Sequence, residues 1–181
     1  MNRQRLSSFP RAWIALLAVI GLLAWGCAPS RPPLHIYAMG ERAEAGLLVY
    51  SVLESRWQAQ IGEGGSARLP KERFLLLRVS VTNGGPNDVS VPQVTLVGPG
   101  VQSYTEVSDG QGVVDFLGTL RRLKANETVY GWILFDAPRS DYQLRVTDDA
   151  FDPSEAKAAL LQVPVRLESK SDFLPDVKPV R

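Results

Sequence analysis

Between Phe74 and Thr82 the chain reads Phe-Leu-Leu-Leu-Arg-Val-Ser-Val-Thr. Leu75, Leu77, Val79 and Val81 fall on one side of an extended backbone and Arg78, Ser80 and Thr82 on the other, which predicts a half-buried β-strand. Asn83-Gly84-Gly85-Pro86-Asn87-Asp88 ends it with residues that favour turns. The same grammar recurs along the chain. Leu47 to Leu53 is rich in strand formers, and Val89–Val91 and Val94–Val97 are divided by Pro92, which predicts a bend or an edge position. Gly98-Pro99-Gly100 turns the chain into Val101–Tyr104, and Leu120–Leu123 and Thr128–Phe135 follow. Gly131 inside the latter marks the close approach of another segment. Tyr142–Thr147 alternates cleanly, and Ala159–Leu167 reads as a last strand, with Pro164 favouring an edge.

Two stretches are harder to place. Ser108–Gly112 has turn chemistry, while Val113–Leu117 fits a short helix, a strand or an ordered loop. Asp152 and Pro153 suit the N-cap and first position of one helical turn. About seven to nine short strands joined by turns, with little helix, predict an all-β, antiparallel β-sandwich. No strand–helix alternation occurs, which disfavours a parallel sheet.

The N-terminal pattern is different in kind. Arg3, Arg5 and Arg11 precede an uncharged run of 14 residues, Ala12–Trp25, which leads into Gly26-Cys27. That run is short of the about 20 residues a membrane-spanning helix needs and fits the roughly 7–15 of a signal-peptide core. Leu23-Ala24-Trp25-Gly26-Cys27 resembles the bacterial lipobox, in which the cysteine is acylated and becomes the new N-terminus. Leu23, Ala24 and Gly26 suit the motif, and Trp25 is bulkier than its usual occupant. The resemblance implies cleavage between Gly26 and Cys27, palmitate or a related acyl group on Cys27, and a protein held at a membrane by several chains, since one chain binds only marginally. Ala28 to Pro33 carries three prolines and predicts a semi-extended tether.

Composition adds limits. Cys27 is the only cysteine, so a disulfide within the chain and a zinc site built on cysteines are both excluded. The formal charge of +1 counts three leader arginines; without them 17 Lys and Arg face 19 Asp and Glu, a net of −2. A slightly acidic domain lacks the basic stripe that nucleic acid requires. The expected organisation is a signal peptide over 1–26, a lipidated tether over 27–39, a β-sandwich over 40–168 and a polar tail over 169–181 that frays.

Three signatures bear a wider resemblance. Gly40-Glu41 precedes the Leu47–Leu53 strand; the Phe74 strand closes in Thr82-Asn83-Gly84; and Leu123, a spacer and Glu127-Thr128-Val129 lead through Gly131 to Phe135. An Asp136-Ala137-Pro138 turn and a Tyr142-x-Leu144-x-Val146 strand follow. Over Gly40–Leu167 these are similar to the immunoglobulin-like domains of bacterial secreted proteins and lipoproteins, a group of largely unknown function that includes a mycobacterial immunogenic secreted antigen. Ala125-Asn126 stands where such proteins often have Pro-Gly. The resemblance implies a fold and brings no catalytic residue set.

The candidate chemistry is sparse. His35, the only histidine, sits at the tether and reads as solvated. Asp148, Asp149 and Asp152, with Asp141 nearby, are the candidate metal ligands, but they lack the spacing, central glycine and closing glutamate of an EF-hand. A solvated loop is the preferred reading, with no metal and no cofactor. Arg121, Arg122 and Lys124 read as charges protecting a sheet edge. Ser51, Ser80 and Ser103 have no nucleophile elbow, and Gly62, Gly64 and Gly65 lack a phosphate-loop lysine. Trp57, Tyr104 and Trp132 are candidates for an exposed aromatic patch, with core packing the preferred reading. The expectation is a non-catalytic, membrane-tethered binding module of the bacterial envelope with an envelope protein as partner; the alternative is a hydrolase or calcium-dependent protein built on carboxylates.

Overall fold

The computed structural model describes residues 34–165 apart from Leu120, Pro153 and Ser154. The leader, Cys27, the tether to Pro33 and the 169–181 tail lie outside the described residues. Among the described residues eleven strands form: β1 (Ile36–Tyr37), β2 (Ala43–Ala45), β3 (Leu48–Gln58), β4 (Phe74–Asn83), β5 (Val89–Val91), β6 (Thr95–Val97), β7 (Ser103–Thr105), β8 (Arg121–Leu123), β9 (Thr128–Asp136), β10 (Tyr142–Thr147) and β11 (Ala158–Val163). A 3-10 turn covers Gly64–Ser66. The count exceeds the expected seven to nine because β1 and β2, of two and three residues, are too short to show alternation.

One sheet has the order β1-β11-β10-β6-β7, the other β2-β3-β4-β9, and β5 pairs with β8 in a two-stranded ribbon. The orders β3-β4-β9 and β11-β10-β6-β7 reproduce the A-B-E and G-F-C-C′ strands of an immunoglobulin-like sandwich. A further hallmark is present where the chain crosses from β9 to β10. Tyr142, at the start of β10, donates its hydroxyl to the Pro138 carbonyl at 2.7 Å, the geometry of a tyrosine corner. Among the described residues every ladder is antiparallel except β1 with β11. That pairing makes Ile36 and Tyr37 the edge of the sheet, so the chain joins the sandwich ahead of Gly40. Pro164 lies just past β11, which is flanked by β1 and β10 and is not an edge strand. Pro92 does mark a bend, carrying the chain from the β5–β8 ribbon into β6.

Leu48, Tyr50 and Val52 of β3 and Leu75, Leu77, Val79 and Val81 of β4 meet Leu96, Leu144, Val146, Leu161 and Val163 from the facing sheet. A second cluster of Ile61, Phe74, Leu76 and Leu134 is covered by Val107, Val113, Phe116 and Trp132. It explains the unbroken apolar run Phe74–Leu77: the first half of β4 is buried on both faces, so alternation disappears there. A bulge between Val52 and Glu54 re-aims the rest of β3, setting Trp57 opposite Leu75 and leaving Leu53 exposed.

Local rules account for the joints. Asn83 is fully buried, donates to the carbonyls of Asn87 at 2.7 Å and Lys124 at 2.9 Å, and accepts from Gly85 N–H at 2.9 Å. Its amide thus ties the β4–β5 and β8–β9 turns together. Asn126 takes φ 59°, the left-handed conformation that asparagine tolerates best after glycine. At Gly131, a Cβ would collide with the Asp115 carbonyl and come within 2.7 Å of Leu117 Cγ. The close approach read from the sequence is real: residues 115–117 run beside β9, with Phe116 bridged to Trp132 and Trp132 N–H donating to the Asp115 carbonyl at 2.9 Å. Val113–Leu117 is accordingly an ordered loop. Glu155 N–H bonds the Asp152 carbonyl at 3.0 Å; Pro153, the expected first position of a helical turn, lies outside the described residues.

Candidate functional site

The residues that would be needed for catalysis are dispersed over the sandwich. His35 is exposed before β1, where its ring packs edge-on against Tyr37 at 4.4 Å and its carbonyl accepts from Leu160 N–H. Ser51 is buried in β3, Ser80 lies on the outer side of β4 and Ser103 is exposed in β7. Of the candidate metal ligands, Asp148 in the β10–β11 loop is engaged by backbone. Asp148 accepts from Lys157 N–H at 3.0 Å, and Asp141, at the opposite end of β10, accepts from Val165 N–H at 2.6 Å. Among the described residues, no three His, Cys, Asp or Glu side chains come together to hold a metal ion. Gly64 and Gly65 belong to the 3-10 turn, with no helix after them.

The basic trio does not protect an edge as a unit. Arg121 is 7 % exposed, and its Nη2 donates to both carboxylate oxygens of Glu106, at 2.8 and 2.6 Å. Only Arg122 and Lys124 are exposed, Arg122 facing Asp88 at 3.6 Å. The reason is register: in β8, Arg121 and Leu123 share the face turned to the core, so an arginine at that position is carried inward. Its partner gave no signal in the sequence. Glu106 is 4 % exposed just beyond β7 and also accepts from Val94 N–H at 3.4 Å, while its own carbonyl accepts from Gln93 at 3.2 Å. Burial pushes its carboxyl above the ordinary value, and the charge and hydrogen bond of Arg121 pull it back only part of the way. The same Arg121 charge opposes the strong upward shift that burial gives the Tyr50 phenol, whose hydroxyl donates to the Thr147 carbonyl at 2.8 Å. Arg121 Nε is buried with no hydrogen-bond partner among the described residues. This pair joins the β5–β6 link, the end of β7 and β8 from inside; sealed as it is, it is structural rather than a substrate site.

The aromatic residues divide. Trp57 and Tyr104 both pack on Tyr142, with ring centres 6.2 and 5.7 Å away, and all three adjoin the main core. Burial, with Tyr104 beside it, pushes the Tyr142 phenol up to about 12. Trp132 lies on the outer face of its sheet, under the Arg56 guanidinium at 4.8 Å. The three therefore form no single patch. Two open clefts flank β10. One of about 450 Å³ is lined by Val97, Pro99, Asp141, Tyr142, Gln162 and Pro164. The other, about 500 Å³, lies between Gln93, Thr95, Arg145, Thr147 and the Asp148–Ala150 segment.

Residues 37–157 match the family described as "Domain of unknown function (DUF4352)". The chain belongs to that family. Solved structures share the fold. The yjhA protein from Bacillus subtilis is 18 % identical with a TM-score of 0.52, over 69 % of this chain and 99 % of that one. A functionally unknown protein from Listeria monocytogenes is 13 % identical with a TM-score of 0.52, over 71 % of this chain and 84 % of that one. The ycdA protein from Bacillus subtilis, described as a candidate lipoprotein, is 16 % identical with a TM-score of 0.52. That match covers 68 % of this chain and 38 % of the other, so the chain spans well under half of that protein. No curated protein matches this chain in sequence.

Proposed function

We propose that the protein is a non-catalytic interaction module of the bacterial cell envelope, tethered to a membrane through acyl chains on Cys27 and binding an envelope protein. The observation that carries this reading is the order of parts along the chain. A lipobox-like Leu23–Cys27 is followed by three prolines and, at Ile36, by the first strand of a β-sandwich. The fold shared with a candidate lipoprotein supports it. So does the likeness of the three sequence signatures to the group containing the mycobacterial secreted antigen.

Binding is favoured over turnover by how the polar side chains are used. The Glu106 carboxylate is enclosed with Arg121, Asp148 and Asp141 accept backbone N–H groups, and His35 stands apart from the strand serines. The experiment is crosslinking in intact cells followed by capture from solubilised membranes, with wild type beside Cys27→Ala. A specific envelope partner recovered with wild type and lost or reduced with the variant supports the module. A substrate found by activity screening and abolished by one carboxylate substitution, with no partner recovered, contradicts it.

A further inference from the structure

The strand registers fix the end of the sandwich at which the N-terminal segment arrives. β1 runs parallel to β11, with Ile36 opposite Leu160, so Leu34 lies level with the start of β11. At that end Asp148 and Lys157 close the base of the β10–β11 loop through two backbone-centred bonds, both at 3.0 Å. The β2–β3 turn is at the same end, since a Cβ on Gly46 would strike the Asp148 carboxylate. Two apolar side chains are presented there: Leu47, 57 % exposed at the tip of that turn, and Phe151, fully exposed in the loop. Leu34 and Ile36, on the segment that arrives, are also exposed.

Six residues lie between Cys27 and Leu34, and the seven chain steps at full extension are about 22–25 Å. Acyl chains on Cys27 would therefore hold this end, not the one carrying Val101 and Pro164, within one tether length of the headgroups. We infer that this end is a membrane-contact surface: Phe151 and Leu47 enter the interfacial layer of the bilayer in which Cys27 is anchored, and the cleft lined by Pro99, Tyr142 and Pro164 faces away from it. The inference rests on the anchor reading above. A large exposed aromatic gains by leaving water for the interface, and the tether keeps the bilayer within its reach. Asp149, Asp152 and Glu155 flank Phe151 along the loop sequence, so the contact favours zwitterionic over anionic headgroups.

The test uses the full, acylated protein reconstituted in vesicles. Cys27 is the only native cysteine, and acylation blocks it, so one introduced thiol takes a single fluorophore. Ala150→Cys reports on the loop and Val101→Cys on the opposite end. With quencher-bearing lipids in phosphatidylcholine vesicles, the probe at 150 loses fluorescence and the probe at 101 does not. Adding Phe151→Asp reverses the loss at 150 while the protein still floats with the vesicles. At low salt, vesicles rich in phosphatidylglycerol give less quenching at 150. Equal quenching at both positions, quenching at 101 alone, none at either, or a preference for anionic vesicles overturns the contact while flotation still upholds the anchor. Failure to float, with wild type behaving like Cys27→Ala, overturns the anchor and the contact together.

Discussion

Replacing Arg121 with methionine leaves the Glu106 carboxylate inside the sandwich with the Val94 N–H as its remaining bond. Side chains of this pair are 4 % and 0 % exposed, so solvent cannot take the place of the lost guanidinium. Breaking one side of a buried pair of this kind costs about 3–5 kcal/mol, a large part of the roughly 5–15 kcal/mol that holds a typical domain folded. With a urea slope of about 2 kcal/mol per molar, the midpoint falls by on the order of 2 M. Glu106→Leu alone, which strands the arginine, should cost a similar amount. The double variant removes both charges and mainly leaves a Val94 N–H without its long bond, costing about 1–2 kcal/mol. Urea unfolding of the purified protein, followed by tryptophan fluorescence, measures all three against wild type.

The pH dependence has a definite sign. In Arg121→Met, burial acts on Glu106 without the opposing charge, so its folded-state carboxyl is raised further. A raised carboxyl means that the folded state binds the proton more readily than the unfolded state. Stability then falls as pH rises above the unfolded value of about 4.3. The variant's deficit is therefore smallest near that value and largest at neutral pH. Single variants that each lose under about 1 kcal/mol, as for a solvated pair, or a double variant whose loss equals the sum of the singles, would refute this account of the seal.

Other outcomes follow from the joints. Gly131→Ala should lose about 1–3 kcal/mol in urea unfolding, because its Cβ displaces the Asp115–Leu117 segment. Asn83→Asp should destabilise more than Asn83→Ala at neutral pH, since an ionised oxygen would then face the Asn87 and Lys124 carbonyls; lowering the pH should narrow that gap. Asn126→Gly should be tolerated while Asn126→Val costs about 1–2 kcal/mol, because φ of 59° suits residues without a branched side chain. Millimolar calcium should leave the melting temperature unchanged, because Asp148 is already held by Lys157 N–H; a rise would establish a cation site in the acidic loop.

Much of the sandwich is legible in the sequence because its long strands obey one rule each. β4, β9 and β10 alternate or carry β-branched and aromatic residues, and their bounds agree with the pattern to within a residue or two. β1 and β2 are held by the neighbours they pair with, so their own few residues carry no period. Arg121 shows the limit most clearly. Its charge suggests solvent, yet the face it shares with Leu123 is buried, and the partner that permits this, Glu106, is 15 residues away in a segment without regular pattern. The aromatic residues illustrate the same limit, since a β-bulge sets the register by which Trp57 joins Tyr142 while Trp132 lies under Arg56.

The anchor at Cys27 carries the functional reading, and metabolic labelling with a radioactive or clickable fatty acid tests it most directly. Wild type should incorporate the label and partition with membranes, and Cys27→Ala should do neither. Label that persists in the variant, or never enters wild type, would contradict the assignment.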